Sequence, residues 1–167
     1  ASLDAACNVI PFIKGEEEKM ETELCKMLGT YDGGAFRFSD LKVMANCARV
    51  PVIDGHTESL VLRLRDEPSL NELEDTLSNF RGEPQDLKLP SAPKSPIIVR
   101  KEANRPQPAM DVYAGKPSQA KGMAISMGRL RHSNGYYKAF ALSHNTIRGG
   151  AGGSVLNAEM AYAKGLL

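Results

Sequence analysis

An alternation of apolar and polar residues with a period of two recurs around two glycine turns, and it restricts the folds open to this chain. Val43, Ala45 and Cys47 alternate with Lys42, Met44 and Asn46, and beyond Asp54-Gly55 the residues Leu60, Leu62 and Leu64 alternate with Val61, Arg63 and Arg65. That is the spacing of half-buried strands, with Asp54-Gly55 as the turn between them. Met123 to Leu130 and Tyr136 to Leu142 form a second pair around Ser133-Asn134-Gly135, a hairpin signal. Two such pairs predict a largely antiparallel sheet.

Three stretches carry the helical period instead. Met20, Leu24, Met27 and Leu28 form one stripe in Glu16 to Leu28, and Gly29 stops it. Ser69 stands three residues before Glu72, a capping box, and Leu70, Leu73, Leu77 and Phe80 share a face that ends at Gly82. The third pattern runs from Ser154 to Lys164. The expected architecture is therefore α+β: a mixed, largely antiparallel sheet with helices packed on one face.

Between these elements, residues 83–122 hold seven prolines, with only Ile97-Ile98-Val99 as a short strand. A segment of this kind predicts a functional lid, or a piece ordered by a neighbouring subunit. Gly149, Gly150, Gly152 and Gly153 precede the last helix without a βαβ unit, so they read as a hinge and make a poor dinucleotide fingerprint.

The 167 residues suit a single domain, and the apolar and charged fractions of 42% and 25% are those of a globular chain. A net charge of +1 provides no basic field for nucleic acid. Cys7, Cys25 and Cys47 lack metal-site spacing and fit a reducing compartment, with Cys25 and Cys47 expected as small buried hydrophobes. No apolar run approaches a membrane span, and the N-terminus has no signal pattern, so the expected location is cytoplasmic.

Chemistry concentrates in Cys47-Ala48-Arg49-Val50-Pro51-Val52-Ile53-Asp54-Gly55-His56-Thr57-Glu58. An Arg fork at 49 suits a carboxylate or phosphate, and a His at 56 suits proton transfer near neutral pH. The same residues also fit a solvated arginine and a turn histidine bonded to Asp54 or Thr57. In the first helix Glu16, Glu17 and Glu18 match the dipole, whereas Lys19 is explained better by a shared anion such as phosphate.

Five motifs, Ile10-Pro11-Phe12-Ile13, Gly15-Glu16-Glu17-Glu18-Lys19, Arg49 to Glu58, Arg105-Pro106-Gln107-Pro108 and His144-Asn145-Thr146-Ile147-Arg148-Gly149, resemble the aspartate-semialdehyde dehydrogenase family in its archaeal and fungal branch. The similarity runs nearly end to end but covers only that family's C-terminal half. It implies the fold of a glyceraldehyde-3-phosphate dehydrogenase-like C-terminal domain. It also implies the NADPH-dependent reductive dephosphorylation of β-aspartyl phosphate to aspartate semialdehyde, on the route to lysine, threonine, methionine and isoleucine.

By the same resemblance His56 is the acid/base group, Arg49 clamps the substrate α-carboxylate, Glu17 faces its ammonium, Lys19 holds phosphate, and Asn145 faces the NADP cofactor. The family's nucleophilic cysteine motif and pyrophosphate-binding turn are not found here. Residues 1–167 are thus expected to be a substrate-binding and dimerisation domain without its NADP-binding domain, inactive alone, forming a homodimer or homotetramer through the sheet face. Two other readings stay open: a non-catalytic oligomerisation module, and a cysteine hydrolase using Cys47 and His56.

Overall fold

The computed structural model describes residues 4–167, which form two compact units divided after Val52. The first is built on helix α1 (Glu16–Met27), followed by a hairpin of two-residue strands, β1 (Thr30–Tyr31) and β2 (Phe36–Arg37). α1 begins at Gly15, whose φ of 75° only glycine adopts cheaply, and its first turn carries the three glutamates.

The segment after β2 does not become a sheet strand, contrary to the expectation for 43–47. Its alternation is real, since Val43, Ala45 and Cys47 are half-buried and their neighbours exposed. What differs is the hydrogen-bond partner. The Ser39 amide donates to the Cys25 carbonyl at 2.9 Å, the Ala45 amide to Glu21 Oε1 at 2.9 Å and the Cys47 amide to Glu17 Oε1 at 2.8 Å. Carboxylates one helical turn apart match amides two residues apart on an extended chain, so α1 takes the place of a neighbouring strand. The segment ends in an antiparallel bridge between Ile10 and Arg49.

The second unit holds a four-stranded sheet in the order β3-β6-β5-β4, from β3 (His56–Leu62), β4 (Ile97–Arg100), β5 (Ile125–Ser133) and β6 (Tyr136–Ser143). The β3–β6 and β5–β6 pairs are antiparallel and β4–β5 is parallel, the mixed, largely antiparallel sheet expected. Asn134 and Gly135 join β5 to β6 with φ of 55° and 75°, the positive pair that a two-residue hairpin loop needs. A bulge between Gly128 and Arg131 shifts the register of β5.

Helix α2 (Leu70–Ser78) lies against β4 and β5. Its capping box is complete: Ser69 Oγ accepts from the Glu72 amide, and Glu72 Oε2 accepts from the Ser69 amide. The Tyr137 hydroxyl on β6 donates to the Pro68 carbonyl and anchors the approach to that cap.

Residues 83–122 are not a lid. They include the short helices α3 (Glu83–Asp86) and α4 (Pro108–Asp111) and much of the core. Leu89, Ala92 and Ala120 pack with Met123 against Leu156 of helix α5 (Gly152–Ala163), with Ile147 and Met160 beside them. Burying Leu156 and Met123 contributes roughly 1.5–3 kcal/mol each. Prolines here end short elements and keep the chain turning back on itself.

Polar ties reinforce that core. Glu159 accepts from both the amide and the hydroxyl of Ser91, and buried Gln85 donates to the Pro93 carbonyl. Of the glycines around the start of α5, Gly152 is closely packed: a Cβ there would lie 2.6 Å from Met123 Sδ and 2.9 Å from the Ile147 carbonyl, whereas Gly150 just before it holds a non-helical backbone at the kink into the helix.

Asp111 is the best-connected charge of the unit. Its carboxylate accepts from Arg105 Nε at 2.6 Å, a second Arg105 nitrogen and the Gln107 amide at 2.8 Å, and forms an ion pair with Arg100 at 2.8 Å. Burial alone would raise its pKa; the Arg105 hydrogen bonds, the Gln107 amide and Arg100 outweigh that and lower it. Among the described residues there is no disulfide, no cluster of metal-ligating side chains, and no helix long and apolar enough to cross a membrane.

Candidate functional site

The five residues named from the sequence fall in both units. In the first, Glu17 and Lys19 stand on the opening turn of α1 and Arg49 at the end of the extended segment. The Glu17 carboxylate that accepts the Cys47 amide fixes the chain two residues before Arg49, and the Ile10 bridge holds Arg49 at its own backbone. The Arg49 side chain is exposed and forms no ion pair among the described residues, so its fork is open to an anion.

Among the described residues Lys19 pairs only with Glu16, at 3.8 Å and with both side chains solvated. Such a pair contributes less than about 1 kcal/mol and leaves the ammonium available. The Cys47 thiol donates toward Met20 Sδ at 3.5 Å.

In the second unit His56 opens β3 and pairs with Ser143 on β6, the strand-start position expected for it. Its ring is exposed and makes no hydrogen bond among the described residues. The turn-histidine alternative therefore does not hold, because Asp54 Oδ2 accepts instead from the Tyr113 hydroxyl at 3.2 Å.

Gly55 has φ of 106°, and a Cβ there would stand 3.0 Å from both Leu142 and Val112. Conformation and space both require glycine immediately before the histidine. The Gly55 amide donates to Asn145 Oδ1 at 3.0 Å, so Asn145 reaches this turn across 90 residues of sequence.

Tyr113 and His144 complete the surroundings; neither has a role assigned from the sequence, although His144 opens one of the motifs quoted above. Their rings meet edge to face with centroids 4.9 Å apart, and Lys121 Nζ lies 5.0 Å above the Tyr113 ring. His144 is buried; its Nδ1 accepts from the Thr146 and Ile147 amides, which leaves the proton of a neutral ring on Nε2. Tyr113 lies 59 residues from Asp54 in a proline-rich stretch with no periodicity, so no local signal marks it.

The first unit thus presents an open guanidinium, a solvated ammonium and a carboxylate, which suit recognition of a small anion. The second presents an imidazole without a hydrogen bond among the described residues, which suits proton transfer.

Residues 1–148 match the family described as semialdehyde dehydrogenase, dimerisation domain. The aspartate-semialdehyde dehydrogenase of Methanothermobacter thermautotrophicus is 46% identical over 156 residues, covering 92% of this chain and 44% of that protein. The enzyme of the same name from Archaeoglobus fulgidus is 46% identical over 160 residues, covering 95% of this chain and 44% of that protein. The crystal structure of aspartate semialdehyde dehydrogenase with NADP from Candida albicans superposes with a TM-score of 0.86 at 38% identity, over 100% of this chain and 48% of that one. The chain spans about half the length of the curated relatives it matches.

Proposed function

Because the chain belongs to the semialdehyde dehydrogenase dimerisation-domain family, we propose that it is the C-terminal, substrate-binding and dimerisation part of an NADP-dependent aspartate-semialdehyde dehydrogenase. The observation that carries this reading is the family match through Arg49 and His56, with the first presenting an unpaired fork and the second an unbonded ring.

In the reaction, a thiolate supplied from outside residues 1–167 attacks the acyl carbon of β-aspartyl phosphate. The C–O bond to phosphate breaks, inorganic phosphate leaves, and a thioester remains. The hydride that takes such a thioester to the aldehyde would come from a bound NADPH. His56 takes the thiol proton before attack, stabilises the thiolate as imidazolium, and returns a proton when the thiolate is released. Arg49 holds the substrate α-carboxylate with two parallel hydrogen bonds, Glu17 faces the ammonium through the carboxylate oxygen not given to Cys47, and Lys19 neutralises the phosphate.

The residues of this chain do not form a dinucleotide site by themselves. Asn145 Oδ1 is committed to Gly55, and Gly152, which opens α5, is packed against Met123 and Ile147 with no room for a pyrophosphate. Any contact of Asn145 with NADP is left to its amide nitrogen. Homodimers or homotetramers form through the sheet face, a reading supported by the family description and by Val61 standing exposed on edge strand β3.

The test is the pair His56→Asn and Arg49→Lys in the whole protein, with NADP reduction measured on aspartate semialdehyde and phosphate. His56→Asn should lower kcat by on the order of a hundredfold or more with little change in KM. Arg49→Lys should raise the semialdehyde KM, since an ammonium cannot reproduce the planar fork. Full turnover by the first, or an unchanged KM in the second, removes the assigned role.

A further inference from the structure

Among the described residues the imidazole of His56 makes no hydrogen bond of its own, so its aim comes from the backbone that carries it. On one side that backbone is the β3–β6 ladder, whose last pair is His56 with Ser143. Beyond that pair the ladder stops, because β6 turns away and the His144 carbonyl accepts the Gly149 amide at 3.1 Å. The Gly55 amide would then have no main-chain partner. Asn145 Oδ1 takes it instead, at 3.0 Å, and extends the pairing by one bond with a side chain.

The preceding residue is held separately. Asp54 Oδ2 accepts from the Tyr113 hydroxyl, and the Tyr113 ring is itself fixed by the edge of buried His144. The bond to Asp54 raises the Tyr113 pKa, so the phenol stays a donor through the neutral range.

We infer that Tyr113 and Asn145 are positioning residues: together they hold the Asp54-Gly55 turn and thereby aim the His56 imidazole at the reacting group. This rests on the acid/base reading of His56. It gives Asn145 a duty to the proton-transfer group in place of, or besides, one to the cofactor, and it gives Tyr113 its first role. Misplacing a catalytic group by about 1 Å can cost on the order of a hundredfold in rate, so loosening either contact acts on turnover rather than on affinity.

The experiment introduces Tyr113→Phe and Asn145→Ala into the whole protein, singly and on a His56→Asn background, and reads kcat and both KM values. Each single variant should lower kcat roughly ten- to hundredfold while KM for the semialdehyde stays within about twofold. On the His56→Asn background neither should lower kcat further, because no imidazole is left to aim.

Three results overturn the inference: single variants with unchanged kcat, losses that multiply with that of His56→Asn, or an Asn145→Ala protein whose only change is a higher KM for NADP. Should His56→Asn itself retain full turnover, the acid/base reading falls and this inference with it. Tyr113→Phe removes a single oxygen, so it decides the matter even if Asn145→Ala fails to fold.

Discussion

Replacing Asp111 by alanine isolates the strongest electrostatic contact of the larger unit. Asp111 accepts three hydrogen bonds, two from Arg105 and one from the Gln107 amide, and pairs with Arg100 at 2.8 Å, and its side chain is fully buried. Truncation leaves Arg105, whose side chain is only 14% exposed, and Arg100, 27% exposed, without their anion. Arg100 Nε is already buried without a partner among the described residues.

Breaking a buried pair by removing one member costs about 3–5 kcal/mol, most of it the stranded charge. At roughly 2–4 °C per kcal/mol for a chain of this size, the melting temperature should fall by about 6–20 °C. Differential scanning calorimetry of the two proteins at neutral pH gives the number, and a drop smaller than about 3 °C would refute the argument.

The pH dependence follows with a definite sign. The Asp111 pKa is lowered in the folded state, so its stabilisation is fully present above the ordinary carboxylate value of about 3.9 and is lost as pH falls toward the folded value. The wild type should therefore lose stability on acidification below about pH 5 more steeply than Asp111→Ala, and parallel curves would count against the assignment.

Gly55→Ala forces a side chain into a backbone at φ 106° and against Leu142 and Val112, which should cost about 1–3 kcal/mol and lower turnover through His56; an unshifted melting curve contradicts it. Ser69→Ala removes one half of the capping box and should destabilise by about 1 kcal/mol in urea titration, whereas no change in midpoint means that α2 is held by packing alone. The isolated chain should associate at micromolar concentration, and a monomer mass by light scattering denies the sheet face its role as the subunit contact.

What the sequence determined by itself is what short-range chemistry encodes. The Ser69–Glu72 box needs only a helix start, and Asn134-Gly135 needs only two positive φ values between alternating runs, so both were readable without knowing what lies across from them. His56 at the head of β3 followed from Asp54-Gly55 for the same reason. Period-two alternation, in contrast, reports only that one side of an extended segment is covered. It cannot distinguish a neighbouring strand from the Glu17 and Glu21 carboxylates that serve residues 45 and 47. Nor does proline content separate a lid from a core of short turns, because proline sets φ locally while burial of Ala92 and Ala120 depends on Leu156, dozens of residues away. The contacts that hold the candidate site, Tyr113 to Asp54 and Asn145 to Gly55, span 59 and 90 residues. Only the folded chain brings such pairs within bonding distance, and so only the tertiary structure decided what steadies His56.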